Sequence, residues 1–392
     1  MCSIKIKVGI YNPYIFSTFG GGEKYTLDLL NILSENDSYD VYLITKKQPE
    51  VKDLLRIRKY FISQLDTRTR FKIISLDKYC DSYYLTTRNF IGYLTRKFDL
   101  FINLEFPTFI KPLSKRSIYV MQQPPYIYLH KSIPFERIIN NYSAIVVYSN
   151  FTRRLIEAVY SNLIPYVRVI YPGVSFNSLT RYSLDNGAEK EDIIISIGRF
   201  ISRKILFPSN NKCQDYLISA FNYLYSKYHP AKVRLYLTGS LDNRKENIKF
   251  FEYCLSMRKT PSIALIPNIS QDLLRRLLMR AKVYWHATGA CKSKKNLQPA
   301  ELESFGISVI EAMAFGAVPV AYYMGGTADI IQHGINGFLF RNTEELIEYT
   351  MKIITSERLF KQLSSNAQER VKDFNINIFK LKWLKLLSEV LS

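Results

Sequence analysis

Short runs of β-branched and aromatic residues alternate with longer amphipathic segments along the whole chain, and this alternation most constrains the fold. The pattern is typical of parallel sheets whose faces are covered by helices. It occurs twice, so the sequence predicts an α/β protein with two Rossmann-like, doubly wound domains facing each other across a cleft. The predicted strands are 4–12, 39–45, 71–76, 100–105, 117–122 and 144–149 in the first set, and 192–200, 233–240, 262–268, 283–287, 318–323 and 337–340 in the second.

The length of 392 residues is sufficient for two hydrophobic cores. Between the two sets of strands, the segment GVSFNSLTRYSLDNGAEKE is polar, aperiodic and rich in turn residues. We therefore predict an N-terminal domain over 1–175 and a C-terminal domain over 176–372. The last segment, 373–392, is predicted to be a basic amphipathic helix that packs back toward the N-terminal domain.

The formal net charge is +20, from 54 Lys and Arg against 34 Asp and Glu, and both halves of the chain share the excess. A basic surface attracts phosphates, anionic lipid headgroups or nucleic acid. The charge by itself leaves two interpretations open, a generally basic protein and a protein that binds a membrane surface.

The apolar runs are too short to cross a bilayer, and the N-terminus is typical of a first strand and not of a signal peptide. The five cysteines are scattered, odd in number and never form a C-x-x-C pair, which argues against a disulfide framework or a zinc site. Only four histidines are present, so a His-rich metal cluster is not expected. These features predict a protein of the reducing cytoplasm.

The motif with the most chemical content is ESFGISVIEAMAFG, in which seven residues separate Glu303 from Glu311. If a helix begins near Phe305, Glu303 precedes it and Glu311 lies one to two turns inside it. The amides of Phe305, Gly306 and Ile307 then point toward an anion or sugar hydroxyls, and Gly306 allows close approach because it has no Cβ. The alternative is an acidic first turn that only complements the helix dipole, and the flanking glycines disfavour it.

This motif and the following GGTADIIQHGINGFLF resemble the donor-site signature of the family 4 retaining glycosyltransferases, E-x-F-G-x-x-x-x-E-A-M-A-x-G-x-P-V with a later G-x-N-G-x-L. The resemblance implies the GT-B fold of two Rossmann-like domains. It also implies that Glu303 contacts the transferred sugar and supports its oxocarbenium charge, and that Glu311 binds the nucleotide ribose. The amides of Phe305 to Ile307 would hold sugar hydroxyls and the diphosphate. Asp329 stands where the family commonly has Glu, which leaves that position open.

A second motif, IGRFISRKILFPSNNKCQDYLISAF, places Gly198, Arg199 and a lysine between a strand and the next helix. Fixed cations that neutralise a diphosphate leaving group lower the barrier to its departure. The motif is similar to the family pattern G-R-[FL]-x-x-x-K-x-x-x-x-L-I-x-A, which implies that Arg199 binds the diphosphate. Lys204 has the usual spacing, but Lys212 aligns better with KCQDYLISAF and is favoured. A solvated basic loop is the alternative.

Near the N-terminus, GIYNPYIFSTFGGGEKYTL places Gly20, Gly21 and Gly22 between the first strand and a helix. The segment resembles the family's glycine loop, which implies that Gly21 and Gly22 contact the donor diphosphate; a flexible turn is the alternative. In SIYVMQQPPY, Gln122 stands where many relatives have a histidine near the reacting sugar. The stretch VYWHATG is similar to one subgroup of the family, and its His286 either reaches the cleft or is a buried, hydrogen-bonded residue.

Together these features predict a retaining glycosyltransferase that moves a hexose from a nucleoside-diphosphate sugar, GDP-mannose or a UDP-hexose, to a hydroxyl of a glycan or lipid-linked acceptor. No D-x-D triplet occurs, so we expect no metal cofactor. We expect a cytoplasmic protein, peripheral at the inner membrane surface, that binds nucleotide sugar, acceptor and an anionic membrane surface but no nucleic acid. Two alternatives stay open: a nucleotide-sugar epimerase on the same fold, and a basic nucleic-acid-binding protein on an enzyme scaffold.

Overall fold

The chain divides into two compact units. The computed structural model describes residues 5–16, 20–60, 70–77, 84–123, 133–160, 166–175, 189–202, 211–292, 295 and 297–392. The N-terminal unit comprises Met1–Gly173 and Ile376–Ser392, and the C-terminal unit comprises Val174–Asn375. The sequence places the corresponding boundaries at 175/176 and 372/373, and most of its predicted linker, 176–188, lies outside the described residues.

The N-terminal unit is built on a seven-stranded sheet in which all paired neighbours are parallel. Its strands are β1 (Ile6–Tyr11), β2 (Tyr39–Thr45), β3 (Lys72–Ser75), β4 (Leu100–Asn103), β5 (Arg116–Met121), β6 (Ala144–Val147) and β7 (Val167–Val169). Their order is β3-β2-β1-β4-β5-β6-β7, which reverses direction between β1 and β4. The helices between them are α1 (Gly21–Ser34), α2 (Val51–Tyr60), α3 (Tyr84–Leu94), α4 (Ile133–Ile139) and α5 (Asn150–Val159).

The C-terminal unit repeats this plan with a six-stranded parallel sheet. Its strands are β8 (Glu191–Ile197), β9 (Arg234–Gly239), β10 (Ile263–Pro267), β11 (Ala281–His286), β12 (Val318–Tyr322) and β13 (Phe338–Phe340). Their order is β10-β9-β8-β11-β12-β13, so the reversal lies between β8 and β11. The helices are α6 (Gln214–Tyr228), α7 (Lys245–Ser256), α8 (Gln271–Arg280), α9 (Ile307–Ala314), α10 (Thr343–Thr355) and α11 (Glu357–Val371).

The final helix, α12 (Ile376–Leu391), belongs to the N-terminal unit, which is the unit that the sequence predicts it to contact. Its Phe379 and Trp383 are buried, and their rings lie 4.9 and 6.3 Å from the ring of Tyr25 in α1. The Trp383 indole donates a hydrogen bond to the Tyr25 hydroxyl at 3.1 Å. Burial of these aromatic side chains fixes α12 on α1, because each fully buried apolar side chain contributes about 1.5–3 kcal/mol.

The predicted fold class is confirmed, since two parallel sheets carry helical crossovers in a doubly wound order. Every predicted strand overlaps an observed one. The sequence pattern did not predict β7, because its three residues are too few to show a periodicity. Within the described ranges, no helix combines the length and the apolar run that crossing a bilayer requires.

One partly buried lysine, Lys190, joins the ends of two helices in the C-terminal unit. The Lys190 ammonium donates to the carbonyl oxygens of Leu278 at 3.2 Å, Ala281 at 2.9 Å and Phe315 at 2.6 Å. These carbonyls lie at the ends of α8 and α9, where helices leave carbonyl groups without internal partners. Burial lowers the pKa of Lys190 from 10.5 to about 7. The stability of this unit should therefore depend on the protonation state of Lys190.

We expect the stability of the protein relative to a Lys190→Met variant to rise by about 2 kcal/mol between pH 6 and pH 9. In this range the folded lysine loses its proton while the unfolded lysine, with a pKa of 10.5, keeps it. The unfolded state thus binds more protons, and its formation becomes less favourable as pH rises. Urea unfolding at each pH measures the difference.

Lys282→Met is the matched control, because Lys282 is paired with Asp192 at 2.9 Å and its pKa is raised above 10.5. Its difference from the wild type should stay constant over the same pH range. Parallel pH profiles for Lys190→Met and the wild type would contradict the prediction.

Candidate active site

The loops with the most polar chemistry leave the carboxyl ends of β8 and β11, the two neighbouring strands at which the sheet order reverses. Open α/β sheets bind ligands at this point because the loops on either side diverge there and leave a crevice. Gly198 and Arg199 follow β8, while His286 ends β11 and Thr288 follows it. The topology therefore brings together residues that are far apart in the sequence.

A buried ion pair lies at this crevice. The Lys212 ammonium is 2.6 Å from Oε2 of Glu303, and the two side chains are 16% and 12% exposed. Lys212 lies two residues before α6 and Glu303 four residues before α9. The lysine stem packs on Gly198, where an added Cβ would lie 2.7 Å from Cβ of Lys212. Gly198 is thus needed for the lysine to pass over the end of β8.

Two further donors contact the same carboxylate oxygen. Nε2 of His286 lies 2.9 Å from Oε2 of Glu303, and the Thr288 hydroxyl donates to that oxygen at 3.3 Å. Oγ1 of Thr288 is also 3.1 Å from Nε2 of His286. Among the described residues, none donates a hydrogen bond to the other oxygen, Oε1. One oxygen of Glu303 is therefore held by three groups, and the other remains available to a ligand.

The charge of Glu303 follows from these contacts. Burial by itself raises the pKa of a carboxyl group, but the charge of Lys212 and the hydrogen bond from His286 outweigh it. The pKa of Glu303 consequently lies well below its ordinary value of 4.5. Glu303 is an anion at neutral pH and a poor proton acceptor, which suits it to stabilise positive charge.

The backbone of Glu303 is held by the two glycines that follow β12. The amide of Gly326 donates to the Glu303 carbonyl at 2.7 Å. Gly325 has a φ of +106°, and an added Cβ there would lie 2.8 Å from the same carbonyl oxygen. These glycines allow two loops to touch along their backbones, which sets the position of Glu303 independently of its side chain.

The start of α9 supplies backbone amides. Gly306 caps the helix with a φ of +110°, a conformation that favours glycine, and no acceptor among the described residues contacts the amides of Gly306 or Ile307. The Phe305 side chain is buried, with its ring 5.5 Å from that of Phe374, so it anchors the helix start. Glu311 lies in α9 and is partly exposed. The predicted motif therefore forms a helix start at which the amides of Gly306 and Ile307 have no hydrogen-bond acceptor among the described residues.

Arg199 follows Gly198, on which the stem of Lys212 packs, but its own contacts are different. Its carbonyl accepts a hydrogen bond from the Gln214 amide at 3.0 Å. Among the described residues, its guanidinium group has no hydrogen bond or ion pair, and the side chain is partly exposed. Arg199 thus offers a cation to a ligand. Lys204, the other lysine candidate, lies outside the described residues, whereas Lys212 contacts Glu303.

The predicted glycine loop belongs to the N-terminal unit. Gly21 and Gly22 are the first residues of α1, which follows β1. An added Cβ at Gly22 would collide with the side-chain oxygen of Gln122, and the Gln122 amide donates to the Leu104 carbonyl at 2.8 Å. Gln122, the residue at the family's histidine position, therefore connects the loops after β1, β4 and β5.

The expectation that no disulfide forms is wrong for one pair. Cys213 and Cys291 are bonded, with their Cα atoms 5.7 Å apart, and Cys254 is free and buried. Cys213 follows Lys212 directly, and Cys291 is three residues beyond Thr288, so the bond joins the two loops that reach Glu303. The sequence separation of 78 between the two cysteines explains why their spacing did not indicate a pair.

Sequence reasoning missed Thr288, Gly325 and Gly326 as parts of the site and left His286 open. His286 is buried and hydrogen-bonded to Glu303, which is the second of the two alternatives that the sequence left open. The pair of glycines three and four residues after β12 was the available signal, because glycines near a strand end often mark close backbone approach.

Comparisons with known proteins identify relatives in sequence and in fold. Residues 184–370 match the family model of the glycosyl transferases group 1. A GDP-Man:Man(3)GlcNAc(2)-PP-Dol alpha-1,2-mannosyltransferase from Dictyostelium discoideum is 25% identical over 271 residues, which cover 65% of this chain and 49% of that protein. A GalNAc-alpha-(1->4)-GalNAc-alpha-(1->3)-diNAcBac-PP-undecaprenol alpha-1,4-N-acetyl-D-galactosaminyltransferase from Campylobacter jejuni is 26% identical over 211 residues, 53% of this chain and 51% of that protein. The chain spans about half the length of these curated relatives.

Solved structures show the same fold over nearly the whole chain. HepE from Anabaena, crystallised with UDP and glucose, aligns with a TM-score of 0.68 at 16% identity, covering 98% of this chain and 100% of that one. Sucrose-phosphate synthase from Thermosynechococcus elongatus aligns with a TM-score of 0.72 at 16% identity, covering 98% and 99%. At these identities the similarity establishes the shared two-domain fold.

We expect Glu303→Gln to lower the free energy of unfolding by about 2–4 kcal/mol at pH 7, because it leaves Lys212 and His286 facing a neutral amide in a buried site. The folded-state pKa of Glu303 is depressed, so its contribution is complete above the unfolded value of 4.5 and is lost as pH falls below it. The gap between variant and wild type should close as urea unfolding is repeated from pH 6 toward pH 3.

Glu357→Gln provides the comparison, since Glu357 also pairs with lysines but is 56% exposed. We expect a change below about 1 kcal/mol there. A Glu303→Gln variant as stable as Glu357→Gln at pH 7 would show that the buried pair does not stabilise the fold.

Proposed function

We propose that this chain, whose residues 184–370 match the family model of the glycosyl transferases group 1, transfers a hexose from a nucleoside-diphosphate sugar to a hydroxyl of a glycan or lipid-linked acceptor, with retention of anomeric configuration. The observation that carries the proposal is the buried Lys212–Glu303 pair at the carboxyl edge of the second sheet. Arg199 directly follows Gly198, on which the stem of Lys212 packs, and Gly306 and Ile307 follow Glu303 at the start of α9.

Each of these groups matches a part of a nucleotide sugar. Arg199 and Lys212 supply positive charge for the diphosphate, whose departure leaves additional negative charge on its oxygens. The amides at the start of α9 suit sugar hydroxyls or phosphate oxygens, since a helix start favours negative charge. Glu311, inside the same helix, is the candidate partner of the ribose diol.

Retention is supported by the state of Glu303. Its pKa is well below 4.5, so it is a poor general base for an acceptor hydroxyl. A fixed anion at this place instead stabilises the positive charge that develops on the sugar ring. We propose that an oxygen of the departing diphosphate takes the acceptor proton, which places the acceptor on the leaving-group face. A product with the anomeric configuration of the donor, read from the one-bond carbon–proton coupling at C1 by NMR, tests this step.

The donor is proposed to be GDP-mannose or a UDP-hexose. The Dictyostelium relative is named for a GDP-Man donor, and the Anabaena structure contains UDP and glucose. Both of the relatives described above are named for acceptors linked to a polyprenyl diphosphate, which supports a lipid-linked acceptor here. We propose that no metal is required, because Arg199 and Lys212 supply the positive charge that a metal would bring to the diphosphate.

The two alternative functions are not favoured. An epimerase needs no acceptor, and the comparisons report glycosyltransferases. A nucleic-acid-binding role has no support in them either. The positive charge of the chain is instead consistent with a phosphate-bearing donor and an acidic membrane surface.

The central test is release of nucleoside diphosphate from a panel of GDP- and UDP-sugars in the presence of EDTA. We expect release from at least one donor, and a fall in turnover of about 10²–10³-fold for both Arg199→Ala and Lys212→Met, as for other preorganised electrostatic contacts.

Lys204→Met is the control that separates the two lysine candidates, and its turnover should stay close to that of the wild type. A large loss with Lys204→Met and none with Lys212→Met would reverse the assignment. Loss of all activity in EDTA, restored by a divalent cation, would contradict a metal-independent reaction.

We also propose that the N-terminal unit binds the cytoplasmic surface of an anionic membrane through α2. Val51, Leu54 and Leu55 recur at helical spacing on this helix, and their side chains are 73%, 41% and 59% exposed. Such an apolar stripe on a surface helix with basic neighbours suits an acidic lipid interface. The basic residues in and before α2 are Lys46, Lys47, Lys52, Arg56, Arg58 and Lys59.

Flotation with phosphatidylglycerol vesicles tests this surface. A Val51→Ser/Leu55→Ser double variant should bind at least about tenfold more weakly, since each buried apolar side chain contributes about 1.5–3 kcal/mol. Binding of the wild type should weaken at about 0.5 M NaCl because salt screens the basic residues. Ile335→Ser, at an apolar residue of the C-terminal unit that is 55% exposed, should float like the wild type. Equal flotation of the double variant and the wild type would remove α2 from the proposal.

A further inference from the structure

Glu303 is oriented by contacts that all fall on one of its two oxygens. The groups around Oε2 are the Lys212 ammonium at 2.6 Å, Nε2 of His286 at 2.9 Å and the Thr288 hydroxyl at 3.3 Å. Contact with a single oxygen fixes the carboxylate plane and directs Oε1 away from the cluster. Lys212, however, is also the cation proposed for the donor diphosphate, so it cannot be assigned to the carboxylate alone.

His286 and Thr288, in contrast to Lys212, are not proposed to contact the donor diphosphate. His286 is 3% exposed at the end of β11, and its ring is stacked against the ring of Tyr284, with centroids 6.4 Å apart. The Tyr284 hydroxyl in turn donates to the Ser308 hydroxyl at 2.8 Å, which ties this strand to α9. Thr288 is 1% exposed and contacts both the imidazole and the carboxylate. Both residues are therefore fixed by the fold before any ligand binds.

The chemistry of the three groups sets the direction of the hydrogen bonds. An anionic carboxylate only accepts, so Nε2 of His286 must carry the proton that it shares with Oε2. The Thr288 hydroxyl likewise donates to Oε2. This arrangement keeps two donors on the carboxylate when the lysine is attracted to a phosphate.

We propose that His286 and Thr288 are positioning residues for glycosyl transfer, which hold Oε2 of Glu303 so that Oε1 faces the sugar ring of the donor while Lys212 neutralises the diphosphate. The proposal rests on the function proposed above. Loss of His286 or Thr288 displaces the Glu303 carboxylate from the positive charge that develops on the sugar, without removing a contact to the nucleotide. The effect therefore falls on kcat and leaves the KM for the donor nearly unchanged.

The experiment compares steady-state transfer by His286→Leu, His286→Gln, Thr288→Val and Thr288→Ser. We expect His286→Leu to lower kcat about 10²-fold and Thr288→Val about 10-fold, with the KM within about twofold of the wild type. His286→Gln restores an N–H donor and Thr288→Ser restores the hydroxyl, so each should recover most of the loss.

Thr350→Val is the matched control for a buried threonine. Its hydroxyl accepts a hydrogen bond from the Trp285 indole at 2.8 Å in the same unit, and it has no contact with Glu303. This variant should lose stability but keep its kcat. A loss of kcat in Thr350→Val equal to that in Thr288→Val would reduce the role of Thr288 to general stability and overturn the proposal.

The outcomes separate the two proposals. Transfer by the wild type with unchanged kcat in His286→Leu and Thr288→Val overturns the positioning role and leaves the proposed function intact. If the wild type transfers sugar from no donor, both proposals fail. The contact between His286 and Glu303 is then still measured by unfolding: His286→Leu should lose stability at a higher pH than the wild type on acidification, because His286 helps to lower the pKa of Glu303.

Discussion

A carboxylate removed almost completely from water, Glu303, keeps its charge because a lysine and two further donors meet one of its oxygens. An isolated buried charge would be unstable by several kcal/mol, so the position of every group around it has to be set by the fold. The strands that deliver Lys212 and His286 are neighbours only because the sheet order reverses between β8 and β11. The negative charge of Glu303 therefore depends on the strand order of the C-terminal unit.

Glycines make the close approach of these loops possible. Gly198 allows the stem of Lys212 to lie over the end of β8, and Gly325 and Gly326 bring the loop after β12 against the backbone of Glu303. Gly306 adopts the positive φ with which α9 begins. In each case a Cβ would either contact a neighbour too closely or strain the backbone, so the glycines shape the site although none of them carries a functional group.

The two units bring different chemistry to the proposed reaction. The C-terminal unit concentrates buried charges and helix-start amides, which suit a diphosphate and a sugar. The N-terminal unit has an exposed apolar stripe on α2 among basic residues and an amide, Gln122, that connects three loops at the edge of its sheet. This division is the basis of the proposal that the donor is soluble and that the acceptor is held at a lipid surface. The last helix, α12, returns to the N-terminal unit through Trp383 and Tyr25.

Local sequence patterns determined the α/β class, all strands except the three-residue β7, and the motifs that contain Arg199, Glu303 and Glu311, because periodicity, glycines and helix-start chemistry act over a few residues. Tertiary structure alone decided that Lys212 meets Glu303, 91 residues away, that His286 points at the same oxygen, and that Cys213 pairs with Cys291. Such contacts depend on strand order and loop course. Neither is encoded in the spacing of the residues themselves, since strands distant in sequence become neighbours only when the whole sheet assembles.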